Sequence, residues 1–164
     1  VLSIGGIPLI YAGDEIATLN DYSYRDDPDK KGDSRWVNRP RQDWKTVANL
    51  DKGHSPASEV FHRLRHLIAL RKAHPELADR NNLSLHNPNN PHVLVFERMG
   101  TEGKGILVLC NFDENEQVVD ASWVSRLGYC GKKEYTDLVS QQGYTLSSGL
   151  LPLKPYQILW LAKG

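Results

Sequence analysis

After Pro75 the spacing of apolar residues changes from every third or fourth position to every second, and no single fold class accommodates both halves. Before the change, Ala57, Val60, Phe61, Leu64, Leu67 and Ile68 fall at helical spacing on one face. Ser55 is placed to cap that helix and Pro56 suits its first position. Glu59 complements the positive end of the helix dipole; Arg71, Lys72 and His74 complement the negative end, and Pro75 stops the run. After the change, "NLSLHN", "HVLVFERM", "GILVLCNF", "EQVVDAS", "EYTDLVS", "GYTLSS" and "YQILWLA" read as short strands. Asn, Gly, Pro and Ser separate them at hairpin spacing, so residues 76–164 are expected to form an antiparallel β-sandwich or barrel.

Residues 1–75 read differently. "VLSIGG" has the look of a last helical turn closed by glycine. "IPLIYAG" is a continuous apolar run between glycines, as in a strand buried on both faces of a parallel sheet. From Ile16 to His54 no periodic element is visible. Loops beyond about 12–15 residues are uncommon in compact domains unless they are functional or disordered. Tyr22, Tyr24, Trp36 and Trp44 count against disorder here. One strand and one helix cannot cover each other. The expected fold class is therefore α/β plus all-β: residues 1–75 as the closing unit of a larger α/β domain, residues 76–164 as an appended β domain. Val1 opens in mid-pattern, so the chain reads as part of something longer.

Composition excludes some classes. Twenty basic side chains balance twenty acidic ones, which argues against a nucleic-acid or membrane-surface partner. No apolar run reaches the roughly 20 residues that span a bilayer. Two cysteines, Cys110 and Cys130, do not make a disulfide framework, and Cys110 reads as a small buried residue.

The residues also carry a resemblance. "GIPLIYAGDE" resembles the eighth barrel strand of the α-amylase superfamily, "FHRLRHLIALRKAHPEL" its last barrel helix, and "PYQILWLA" the final strand of its C-terminal domain. "GDEIATLND" followed by "DSRWVNRPR" resembles amylosucrases and related sucrose hydrolases. The resemblance implies the C-terminal end of a (β/α)8 barrel followed by an antiparallel β-sandwich. It implies an enzyme that cleaves sucrose and transfers glucose to an α-1,4-glucan through a covalent glucosyl-enzyme. A sucrose hydrolase, another hydrolase of the superfamily, or a non-catalytic β module remain alternatives. Sucrose and α-glucan are then the substrates, the rest of the barrel is the structural partner, and no cofactor is needed.

Carried over residue by residue, Arg35 of "DSRW" would close the base of a glucose pocket by pairing with an aspartate upstream. A guanidinium suits that task because its planar fork holds a carboxylate on two bonds. The catalytic carboxylates of the superfamily come from earlier strands, so none is expected in this chain and the chain alone is expected to be inactive. Retaining glycosidases need two carboxyl groups flanking the bond. Asp14 and Glu15, adjacent at a strand end, would point to opposite faces and cannot be that pair. They read as structural, with direct substrate contact as the alternative. Trp36 reads as a packing anchor, the alternative being a sugar platform. Arg39 and Arg41 read as surface ion pairs, the alternative being contact with the acceptor sugar.

Two metal signals fail on inspection. His62 and His66 stand four apart, but Arg63 occupies the place of the metalloprotease glutamate. "DDPDKKGD" has Lys31 at a calcium-ligand position and Asn38 in place of the closing glutamate. No metal is expected.

Overall fold

In this computed structural model, residues 1–101, 104–120, 122, 124, 135–146 and 149–162 are described. They fall into two units: Val1–Pro8 with Leu67–Gly164, and Leu9–His66. The sequence places its boundary after Pro75 instead.

The first unit is built on eight strands: β1 (Leu83–His86), β2 (Val93–Met99), β3 (Gly105–Asn111), β4 (Gln117–Asp120), β5 (Tyr135–Asp137), β6 (Gly143–Tyr144), β7 (Leu150–Leu153) and β8 (Ile158–Ala162). Six pair in the order β1-β2-β3-β8-β5-β6, and β4 pairs with β7 in a second sheet. Every pairing is antiparallel. Alternation sends Val93 and Val95, Leu107 and Leu109, and Leu159 and Leu161 to one face. There they pack with Val119, Leu151 and Leu153 of the smaller sheet.

Each of the seven runs after Pro75 that read as strands contains one, and β7 lies outside them. Pro152 sits in its middle, opposite Val118. A proline removes a ladder donor, and it is tolerated because this strand is bonded on one side only. Cys110 is buried on β3, and burial pushes its thiol up to about 11. Cys130 lies outside the described residues.

The main sheet is covered on its reverse face too. Phe96, Arg98, Ile106, Val108 and Trp160 are buried there. The turn Pro75–Leu77 lies against β2 and β3. Arg98 is fully buried, and its partners are backbone carbonyls. It donates to Ile4 O, Glu76 O and Asp79 O. Arg71 donates to Leu2 O, Gly6 O and Leu77 O at 2.5, 2.7 and 2.7 Å. Two guanidinium groups thus hold residues 1–8 through three of their carbonyls.

This corrects the reading of "VLSIGG". Gly5 and Gly6 do adopt left-handed conformations, φ 100° and 72°, but they close no helix. The carbonyls a helix would have used are taken by arginines. A Cβ on Gly5 would lie 2.5 Å from Arg98 Nη1, so glycine is required there for close approach as well.

"IPLIYAG" needs correction as well: residues 7–12 form no strand. Ile7 and Leu9 are 84% and 86% exposed. A strand needs neighbours to complete its hydrogen-bond ladder, and no described residue supplies one.

The helix stands as expected, its residues to His66 in the second unit and those from Leu67 in the first. It is α2 (Pro56–Ala73), preceded by a one-turn α1 (Trp44–Val47). The Ser55 hydroxyl accepts from Ser58 N at 3.1 Å. Ala57, Phe61, Leu64, Leu67 and Ile68 are only half-buried, and Val60 is exposed. Among the described residues no helix is long and apolar enough to cross a membrane.

Candidate functional site

The long stretch before α2 is ordered by short local devices rather than by a regular element. Four aspartates punctuate it. Asp21, Asp27, Asp33 and Asp43 each accept from the backbone N–H two residues on, at Ser23, Asp29, Arg35 and Lys45. These closed loops mimic backbone turns and start 3-10 turns at Tyr22–Asp26 and Ser34–Asn38, as well as α1. Asp21 N donates to Val37 O at 2.8 Å, tying the first arm to the second.

The segment before Asp21 turns sharply. Gly13 at φ 104° and Ala17 at φ 55° bracket a 3-10 turn, Asp14–Ile16. Thr18 N and Ile16 N both donate to Gly13 O, at 3.0 and 3.1 Å. A Cβ on Gly13 would meet the Thr18 side chain at 3.0 Å, so this turn too depends on glycine. The expectation that Asp14 and Glu15 project from a strand end is therefore corrected. They sit on a helical turn, and Glu15 folds back to accept from Gly13 N at 2.7 Å. Its role is to close the turn.

Between these segments lies a cavity of about 330 Å³, lined among others by Tyr11, Asp14, Asn20, Arg35, Asn38 and Arg39. That volume falls at the lower end of small-ligand pockets, about 300–1,000 Å³. Its walls offer carboxylate, guanidinium and amide groups, which suits a polar ligand rich in hydroxyls.

The structure brings together Asp14, Arg35 and Arg39 of the residues singled out from sequence. Trp36 is half-buried, and its ring carries the Lys30 ammonium at 5.4 Å. Arg41 is exposed and away from the cavity lining. Arg35 forms a two-bonded pair with Asp33: Nε to Oδ1 at 2.8 Å and Nη2 to Oδ2 at 2.8 Å. The guanidinium, with the Arg35 N–H, lowers the Asp33 carboxyl to about 2. Within "DSRW" the sequence alone assigns this aspartate no role. The signal was present as an Asp two residues before the arginine it caps. Tyr11, Asn20 and Asn38 were also missed, and no pattern in the chain distinguishes them. Among the described residues no cluster of three or more His, Cys, Asp or Glu could hold a metal ion.

Comparison with known proteins places the β domain. Residues 83–162 match the family described as amylosucrase, C-terminal domain. Over 162 residues the chain is 26% identical to glucosylglycerate phosphorylase of Escherichia coli (strain K12). The match takes in 98% of this chain and 26% of that protein, so the chain spans about a quarter of its relative's length. Two solved structures share the fold. AmyP in complex with maltose aligns over 68% of this chain and 22% of its own, with a TM-score of 0.55 and 14% identity. Pullulanase from Anoxybacillus sp. LM18-11 aligns over 78% and 17%, with a TM-score of 0.52 and 14% identity. The resemblance drawn from sequence is met by these relatives, and the antiparallel sheets share their fold with AmyP and the pullulanase.

Proposed function

We propose, starting from residues 83–162 as an amylosucrase C-terminal-like domain, that this chain is the C-terminal portion of an enzyme that cleaves sucrose and passes the glucosyl unit to an α-1,4-glucan. The observation that carries the reading is the family match itself. Residues 1–75 are then the last strand, long loop and last helix of a (β/α)8 barrel, and residues 76–164 its C-terminal domain. The exposed apolar side chains of Ile7, Leu9 and Ile10 support this, because neighbouring barrel strands would cover them.

In such a barrel the loops after the strands form the active face. On this reading the cavity at Asp14, Arg35 and Arg39 would lie on the loop that follows the last strand. Arg35 would close the base of the glucose pocket. In the reaction, a carboxylate from elsewhere in the barrel attacks the anomeric carbon, and fructose leaves with a proton from a second carboxyl group. The acceptor hydroxyl then displaces the first carboxylate and returns its proton to the second. This chain's residues contribute the shape and charge of the pocket, with Arg39 and Arg41 as candidate contacts to the acceptor.

A second reading has an observation of its own. The phosphorylase relative matches nearly the whole chain, so phosphate could take the acceptor's place. One assay separates the readings: the full-length enzyme with sucrose, with and without glucan and inorganic phosphate. Glucan elongation with fructose release is expected. Free glucose would make it a hydrolase and a glucosyl phosphate would make it a phosphorylase. Absence of fructose release under every condition would overturn the sucrose reading.

A further inference from the structure

We propose that Asp33 is a positioning residue for the candidate glucose site: it holds one edge of the Arg35 guanidinium and thereby aims the other edge at the cavity. This rests on the reading of Arg35 above and adds the residue that sets its orientation.

A guanidinium presents donors along two edges, Nε with Nη2 and Nη1 with Nη2. Asp33 occupies the first edge. Nε donates to Oδ1 at 2.8 Å and to Oδ2 at 3.0 Å, and Nη2 donates to Oδ2 at 2.8 Å. The same carboxylate accepts from the Arg35 backbone N–H at 3.0 Å. One acid thus clamps this arginine at both its root and its tip. The Arg35 side chain is 73% exposed, and an arginine so exposed would otherwise sample many rotamers. Nη1 makes no hydrogen bond among the described residues. Arg35 lines the cavity, and Asp33 does not.

Charge supports the arrangement. Asp33 also feels Arg39, a second guanidinium on the cavity wall. Arg35 and Arg39 line the cavity with the single carboxylate of Asp14, while Asp33 stands outside the lining. A further carboxylate or a ring of hydroxyls meeting Nη1 would then find a donor already aimed and only partly neutralised.

The bland role for Asp33 is to start the Ser34–Asn38 turn, and one substitution separates the two. Asparagine caps a helical turn as well as aspartate does. In Asp33→Asn the turn keeps its cap, while the neutral amide cannot hold Nε and Nη2 together. The experiment is sucrose kinetics and thermal melting on the full-length enzyme and its variants Asp33→Asn, Asp33→Glu, Arg35→Ala and the Asp33→Asn/Arg35→Ala double. Asp43→Asn, which alters the equivalent cap of α1, is the control. Asp33→Asn is expected to raise KM for sucrose about tenfold, since small misplacements of positioning groups cost at least that. Its melting temperature should match that of the Asp43→Asn control. Asp33→Glu should recover part of the loss, and the double variant should be no worse than Arg35→Ala. Parental kinetics in Asp33→Asn beside an impaired Arg35→Ala would overturn the proposal and leave the reading of Arg35 standing. Multiplying losses in the double variant would also overturn it. Parental kinetics in Arg35→Ala itself would sink the reading of Arg35, and the role of Asp33 with it.

Discussion

Arg35 shows what a residue's chemistry tells in advance and what it leaves out. Its identity as a fork-shaped cation is legible in the sequence. Its partner is not. Sequence reasoning looked for a distant carboxylate and overlooked the one two positions away, because a pair so short in sequence carries no periodic signal. A pair this exposed contributes little to folding. The expected consequence of losing it is therefore functional. In the full-length enzyme, Arg35→Lys should fail to restore what Arg35→Ala loses, because an ammonium is a point charge that cannot hold Asp33 on one edge and a second group on the other. Both variants should lose about tenfold or more in kcat/KM for sucrose while melting within a degree or two of the parent. A lysine variant with parental kcat/KM would reduce Arg35 to a simple positive charge.

At the scale of elements, legibility followed repetition. The strands of the β domain declare themselves by alternation, and α2 by its cap and its three-and-four spacing. β7 hid behind Pro152. The run at residues 7–12 was read as a strand from its composition, but a strand is a relation between segments, and the described residues hold no partner for it. The long loop has no period at all. Its order comes from aspartates whose effect reaches only two residues, so it was visible only position by position. That gives the loop a pH limit. Asp21, Asp27, Asp33 and Asp43 all have carboxyls held below the ordinary 3.8, most strongly by Ser23, Lys30, Arg35 and Thr46 respectively. A carboxyl depressed in the folded state stabilises above its unfolded value and loses that contribution as pH falls through the folded one. The loop should therefore stay ordered down to about pH 4 and lose order as the pH approaches 2, where Asp33 itself titrates at about 2. Amide resonances of Ser23, Asp29, Arg35 and Lys45 followed by NMR should move together in that window, ahead of the β3 amides. Loss of the loop signals near pH 6 would show that these caps do not order it.

At the scale of the whole molecule, the division into units depends on buried arginine more than on the change of period. A cut at Pro75 follows the sequence pattern, but Arg98 on β2 reaches back across it to Ile4 O. Burial pushes the Arg98 pKa down, and the neighbouring Arg71 adds to that effect. An arginine buried at this cost holds its place through its carbonyl partners, since a buried charge must be compensated by hydrogen bonds. Removing the guanidinium leaves those carbonyls without their donor. Arg98→Met, which keeps most of the volume, should destabilise the β domain by about 2–4 kcal/mol, each buried polar group left unsatisfied costing about 1–3. The loss should not be uniform. Residues 1–8 should exchange their amide hydrogens freely in Arg98→Met, while β3 and β8, whose core face Arg98 does not touch, should remain the slowest-exchanging segments. Equal acceleration across β3, β8 and residues 1–8 would mean that Arg98 supports the sheet itself. Unchanged protection of residues 1–8 would mean that Arg71 alone holds them.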